Sequence, residues 1–67
     1  MSMKPPAVVI LRRKSVEART GLSRTSIYER IKSREFPRPI SLGGYAVGWI
    51  EGEIDTWLLE QIEKRCK

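Results

Sequence analysis

The hydroxyls and cations between Thr20 and Lys32 are the side chains of this sequence best suited to chemistry, and that chemistry is recognition. The stretch reads TGLSRTSIYERIK. An arginine can pair with a guanine edge through two parallel hydrogen bonds, while serine and threonine hydroxyls accept several partners. Arg24, Thr25, Ser26 and Tyr28 therefore form a candidate reading surface, with Arg30 and Lys32 further along. Catalysis is poorly provided for. There is no histidine, which removes the usual general base and the usual metal ligand. The one cysteine, Cys66, allows neither an internal disulfide nor a thiolate zinc cage. Ser, Thr and Tyr occur without a partner base, and Gly43-Gly44 does not precede a helix as a nucleotide-binding loop requires. We expect no enzyme, no metal, no cofactor and no small-molecule ligand.

A helix-turn-helix must hold these residues. Gly21 suits the left-handed position just past a helix end, where a side chain is strained. Leu22 then points back to the core, and Ser23 caps the next helix by accepting a bond from a free backbone N–H. That helix is expected over 24–34. Ile27 and Ile31 stand four apart and share one face, which leaves Arg24, Thr25, Ser26, Tyr28, Glu29 and Lys32 mainly on the others. A short helix with a hydroxyl-rich, basic outer face fits a major groove, although a plain helical hairpin with a solvated face has the same spacing. Tyr28 can stack its ring in the core or send its hydroxyl to a phosphate. Lys32 and Arg34 suit backbone contact.

Before the turn, a first helix is expected over 14–20, with Val16 in the core and Ala18 small enough for close packing. Glu17 and Arg19 are expected to face solvent. Arg12, Arg13 and Lys14 oppose the dipole at its start, so either phosphate contact or a solvated basic run accounts for them. Ile10 or Leu11 packs on the core as an extended lead-in.

Beyond the second helix, Pro37 and Pro39 impose an extended path and Phe36 plugs the core. Ile40-Ser41-Leu42 alternates, Gly43-Gly44 turns, and Tyr45, Val47 and Trp49 return at period two. A hairpin directly after a reading helix, here over 40–49, is a wing. Arg38, Ser41, Gly43, Gly44 and Tyr45 lie where a wing meets the sugar–phosphate backbone, and glycine N–H groups approach phosphates closely. The dihedrals of a turn alone also explain both glycines. A last helix is expected from Glu51 or Gly52 to about Lys64. Acids stand at its start and bases at its end, as the dipole favours. Ile54, Trp57, Leu58 and Ile62 form one apolar stripe, with Trp49 and Trp57 as core anchors. Leu59 lies beside the stripe and leaves room for a partner.

The chain's 67 residues are enough for one domain with a small core. We expect a small, mainly helical α+β fold: a winged helix-turn-helix with about three helices and a two-stranded hairpin over 10–67, behind a flexible N-terminal arm over 1–9. No apolar run reaches the roughly 20 residues of a membrane span, so the expected location is the cytoplasm, on the nucleoid. Net charge is +5, unevenly placed: residues 1–38 hold ten basic and three acidic side chains, residues 39–67 three basic and five acidic. A basic half around a helix-turn-helix points to a phosphate backbone.

The run LSRTSIYERIKSREFPRPISLGG, followed by VGW and an acidic helix start before Trp57, resembles the AlpA family of small phage and prophage regulators. The likeness covers roughly residues 10–59 and is far more specific than a generic helix-turn-helix. The family is similar in turn to excisionases and to the DNA-binding domains of MerR-type regulators. The resemblance implies a double-stranded DNA partner, with the recognition helix in the major groove and the wing on the adjacent backbone. The recognition positions it carries over are Arg24, Thr25, Ser26 and Tyr28, with Arg30 and Lys32 nearby, and the wing tip is Gly43-Gly44-Tyr45. Relatives often carry a basic residue at the Tyr45 position, so here a hydroxyl or ring contact replaces an ionic one. The implied role is control of integrase expression or of excision, with integrase, RNA polymerase or further copies of the chain on DNA as possible partners. An excisionase that bends attachment-site DNA is the alternative, and an interaction module without DNA the third reading.

Overall fold

Trp49 stands at the centre of the computed structural model, which describes residues 8–65; its ring is wholly buried. Around it the chain runs β1 (Ile10–Leu11), α1 (Arg13–Thr20), α2 (Arg24–Lys32), β2 (Ile40–Gly43), β3 (Ala46–Ile50) and α3 (Glu51–Arg65). The core is Leu11, Val16, Ile27, Phe36, Trp49 and Ile54, one residue from every element except β2, with Phe36 from the connection between α2 and β2. Leu22, Ile31, Val47, Trp57 and Leu58 pack against it. No polar side chain among the described residues is buried, so burial of apolar surface holds the domain together. The expected arm lies outside the described residues over 1–7. Val9 is described, and its carbonyl accepts from the Glu51 N–H at 2.9 Å.

The expected two-stranded hairpin is part of a three-stranded antiparallel sheet, in the order β1-β3-β2. The lead-in is itself a strand: Ile10 pairs with Ile50 and Leu11 with Trp49. A lone hairpin is marginal in water, and the third strand gives β3 a neighbour on both sides. Gly48 in β3 makes this possible, because a Cβ there would collide with the Ile10 side chain and press on Leu42 and the Leu11 carbonyl. Leu11, Val47 and Trp49 thus face the helices, while Ile10, Gly48 and Ile50 take the outer face. The wing turn falls one residue later than expected. Gly43 pairs with Ala46, leaving Gly44-Tyr45 as the two-residue loop, and the register shifts between Ser41 and Gly43. Gly43 and Gly44 both have positive φ, at 110° and 56°, and the loop's left-handed first position is the one glycine fills without strain.

One helix differs from expectation at its end and another in how much of its apolar stripe is buried. Helix α2, expected over 24–34, stops at Lys32, because Glu35 N–H bonds the Arg30 carbonyl at 2.8 Å and Arg34 N–H the Ile31 carbonyl at 3.1 Å. This pair of bonds is a Schellman closure, and it puts Arg34 in the left-handed region at φ 62°. In α3, Ile54 is buried, but Trp57 and Leu58 are only partly so, and Ile62 is 49% exposed. The stripe continues while the core beneath it ends near Leu58. Ala18, expected at a helix contact, is exposed, since Val16 alone carries the buried face of so short a helix.

Candidate nucleic-acid interface

The turn that sets α2 is closed by local bonds. Gly21 adopts φ 74° and its N–H reaches the Glu17 carbonyl at 2.8 Å, ending α1. Thr20 Oγ1 donates to the Val16 carbonyl at 2.8 Å and accepts from Leu22 N–H at 3.2 Å, which stiffens the exit. Ser23 Oγ accepts from Ser26 N–H at 3.2 Å and donates to Ser26 Oγ at 3.1 Å. The expected cap is therefore present, and Ser26 is engaged with it, half-buried, rather than fully available. Ile27 and Ile31 turn inward, the first completely buried.

At about 100° per residue, the direction opposite Ile27 and Ile31 is occupied by Glu29, flanked by Thr25, Lys32 and Ser33. All four are exposed. Arg24 and Tyr28 lie on one flank. The Arg24 guanidinium sits over the Tyr28 ring, 6.0 Å from its centroid, and that ring meets Trp49 edge-on at 6.4 Å. Of the two roles open to it, Tyr28 takes the core one, its ring packing on Trp49, while 37% of the residue stays in solvent. Arg30 lies on the opposite flank, lining a shallow polar cleft with Ser26, Glu29, Ser33 and Glu35.

The connection from α2 to the wing is held by two indoles. Trp49 Nε1–H donates to the Pro37 carbonyl at 3.0 Å and Trp57 Nε1–H to the Glu35 carbonyl at 2.7 Å. Phe36 sits between them in chain order, buried, with its ring edge-on to Trp57 at 4.8 Å. Because Trp49 is in β3 and Trp57 in α3, this clamp fixes where the sheet and α3 stand relative to the end of α2. Nothing in the sequence spacing announces it. At the wing, Arg38, Ser41, Gly43 and Gly44 are exposed, with Ser41 Oγ accepting from Gly43 N–H at 3.4 Å. Tyr45 is fully exposed at the turn.

The cations divide into two groups. Arg13 is paired with Glu17 at 3.0 Å, and Arg19 joins α1 to the start of α3 through Glu51 at 2.7 Å and Asp55 at 3.5 Å. Arg19 faces solvent as expected and is tethered there by these two carboxylates. By contrast Arg12, Lys14, Arg24, Arg30, Lys32, Arg34, Arg38, Lys64 and Arg65 meet no carboxylate among the described residues. An open groove of about 930 Å³ between residues 34–40 and α3 lies apart from the outer face of α2 and mixes both charges. No cluster of metal-ligating side chains occurs among the described residues, and no helix there is long and apolar enough to cross a membrane.

A capped short helix with a polar outer face, followed by a glycine-turned hairpin docked on the same core, defines a winged helix-turn-helix protein. Comparison with known proteins makes this more particular. The chain belongs to the AlpA family: the family described as prophage CP4-57 regulatory protein (AlpA) matches residues 9–62. It is 42% identical to the DNA-binding transcriptional activator AlpA of Escherichia coli K12 over 67 aligned residues, covering 91% of this chain and 90% of that one. It is also 47% identical over 45 residues to the uncharacterized protein ORF88 of Enterobacteria phage P4, covering 67% of this chain but only 51% of the phage protein.

Proposed function

We propose that this chain is a sequence-specific double-stranded DNA-binding regulator of a phage or other mobile element, acting on integrase expression or excision. In this reading residues 24–34 enter the major groove and the wing over 40–49 lies on the neighbouring backbone. The observation that carries it is that Arg24, Arg30 and Lys32 of α2 meet no carboxylate among the described residues, on a helix whose outer face holds hydroxyls around the one carboxylate of Glu29. A folded domain of net charge +5 gains nothing in stability by crowding like charges, whereas a polyphosphate partner neutralises them. The kinship with an activator named as DNA-binding supports the same conclusion. Arg24, Thr25, Ser26, Tyr28, Arg30 and Lys32 are the reading positions; Arg12, Arg13, Lys14, Ser23, Arg38, Ser41, Gly43, Gly44 and Tyr45 supply backbone contacts. Arg13 must share its guanidinium with Glu17 to do so.

A footprint of the purified protein on its element's DNA, spanning the attachment site and the integrase promoter, tests the proposal. One protected site overlapping the promoter, lost steeply as salt rises, is the expected result. Repeated phased protection beside the attachment core, with bending, would replace the regulator by an excisionase. No protection at moderate salt would remove DNA from the account.

A further inference from the structure

Resting on that reading, we infer that Glu29 is a specificity-determining residue of the interface: its carboxylate reads the amino edge of a base in the major groove, cytosine above all. The position is the argument's first support. Ile27 and Ile31 fix which side of α2 faces the core, and Glu29 projects from the opposite side, at the centre of the face a groove would receive. Its helical neighbours at three and four residues are Thr25, Ser26, Lys32 and Ser33: three hydroxyls and one cation. The second support is its lack of an internal role. The Glu29 carboxylate makes no ion pair or hydrogen bond among the described residues, even with Lys32 one turn away. Outside the helix ladder its backbone carbonyl accepts from Ser33 N–H at 3.1 Å and Ser33 Oγ at 3.2 Å.

A free carboxylate in the middle of a surface meant for a polyanion weakens every phosphate contact around it. It is therefore costly to non-specific binding and useful only if a donor meets it. An ionised carboxylate accepts and does not donate. In the major groove guanine presents only acceptors, and thymine an acceptor and a methyl group. Adenine offers an amino donor beside the N7 acceptor, whereas cytosine offers its N4 amino group with no acceptor beside it. Glu29 thus rewards cytosine at one position and repels its alternatives, while the surrounding hydroxyls tolerate either kind of edge.

The test compares the wild type with Glu29→Ala and Glu29→Gln. Binding is measured at fixed salt on the footprinted duplex, on duplexes carrying each single base-pair change, and on an unrelated duplex. Alanine and glutamine are good helix formers, and unchanged melting curves will show that α2 is intact. Glu29→Ala should lose roughly ten- to a hundredfold on the cognate duplex, flatten the preference at one cytosine, and bind the unrelated duplex at least as tightly as the wild type. Glu29→Gln should move preference at that position toward adenine, whose N6 and N7 suit an amide. If Glu29→Ala strengthens binding to all duplexes alike and leaves the base profile unchanged, Glu29 is only a surface charge and the inference fails, with the DNA-binding function standing. A wild type that shows no sequence preference overturns both.

Discussion

Helix α2 is entered and left in two different ways. Its entrance, the turn through Thr20, Gly21 and Ser23, is closed by bonds spanning at most four residues, with glycine where the backbone turns left-handed. Its exit has Arg34 in the same backbone region and is held by tryptophans from β3 and α3, 12 and 22 residues along the chain from the carbonyls they bind. The entrance is a local object that would form in any helical hairpin of this sequence. The exit exists only when the sheet and α3 are already in place. The entrance therefore sets the start of the helix, and the exit sets the helix relative to the wing.

The contrast can be broken most severely at Trp49. Trp49→Ala removes a wholly buried ring, the Pro37 bond and the Tyr28 contact together, and should cost roughly 3–5 kcal/mol, enough to unfold so small a domain. Thermal denaturation followed by far-UV circular dichroism checks this, and a cooperative transition near the wild type's would show that Trp49 does not organise the core. Gly48→Ala should come next, at roughly 1–3 kcal/mol, because the new methyl displaces Ile10 and strips β1 from the sheet. Amide exchange in β1 should quicken while the entrance turn stays protected.

Smaller changes separate the two ends. Trp57→Phe keeps a ring against Phe36 but loses the bond to the Glu35 carbonyl, a loss of about 1 kcal/mol. It should lower DNA affinity by freeing the wing, whereas Ser23→Ala, of similar cost near 1 kcal/mol, should fray the first turn of α2 and leave the wing amides unmoved. Equal loosening of both regions by both variants would show that the ends are not independent. The smallest effect is a gain. Arg34→Gly relieves a side chain in the left-handed region and should raise stability by about 0.5–1 kcal/mol by urea denaturation.

The same contrast explains what could be read without coordinates. The entrance was legible because caps, glycine and the Ile27/Ile31 spacing are short-range signals. The three helices, the position of the hairpin and the buried Trp49 followed from periodicity. What escaped depended on distant partners. The pairing of Ile10 and Leu11 with β3 cannot be seen in a two-residue strand, and the indole bonds to Glu35 and Pro37 have no sequence signature. Trp57 was read as a core anchor from its place on an apolar stripe, yet the core ends beneath it and its polar atom carries part of its role. Arg19 looked like a solvated charge because Glu51 and Asp55 lie on another helix. On α2 the Ile27/Ile31 spacing already puts Glu29 opposite the core, whereas the Arg24–Tyr28 contact and the bond between the Ser23 and Ser26 hydroxyls depend on side-chain positions that spacing does not give.

Amide chemical-shift mapping with the shortest duplex the footprint defines is the most direct test of the central claim. Perturbations should concentrate over residues 23–33 and 41–46, with the end of α3 and the groove between residues 34–40 and α3 little changed. Perturbations confined to that groove, or none over α2 at saturating duplex, would contradict a recognition helix and wing acting together on DNA.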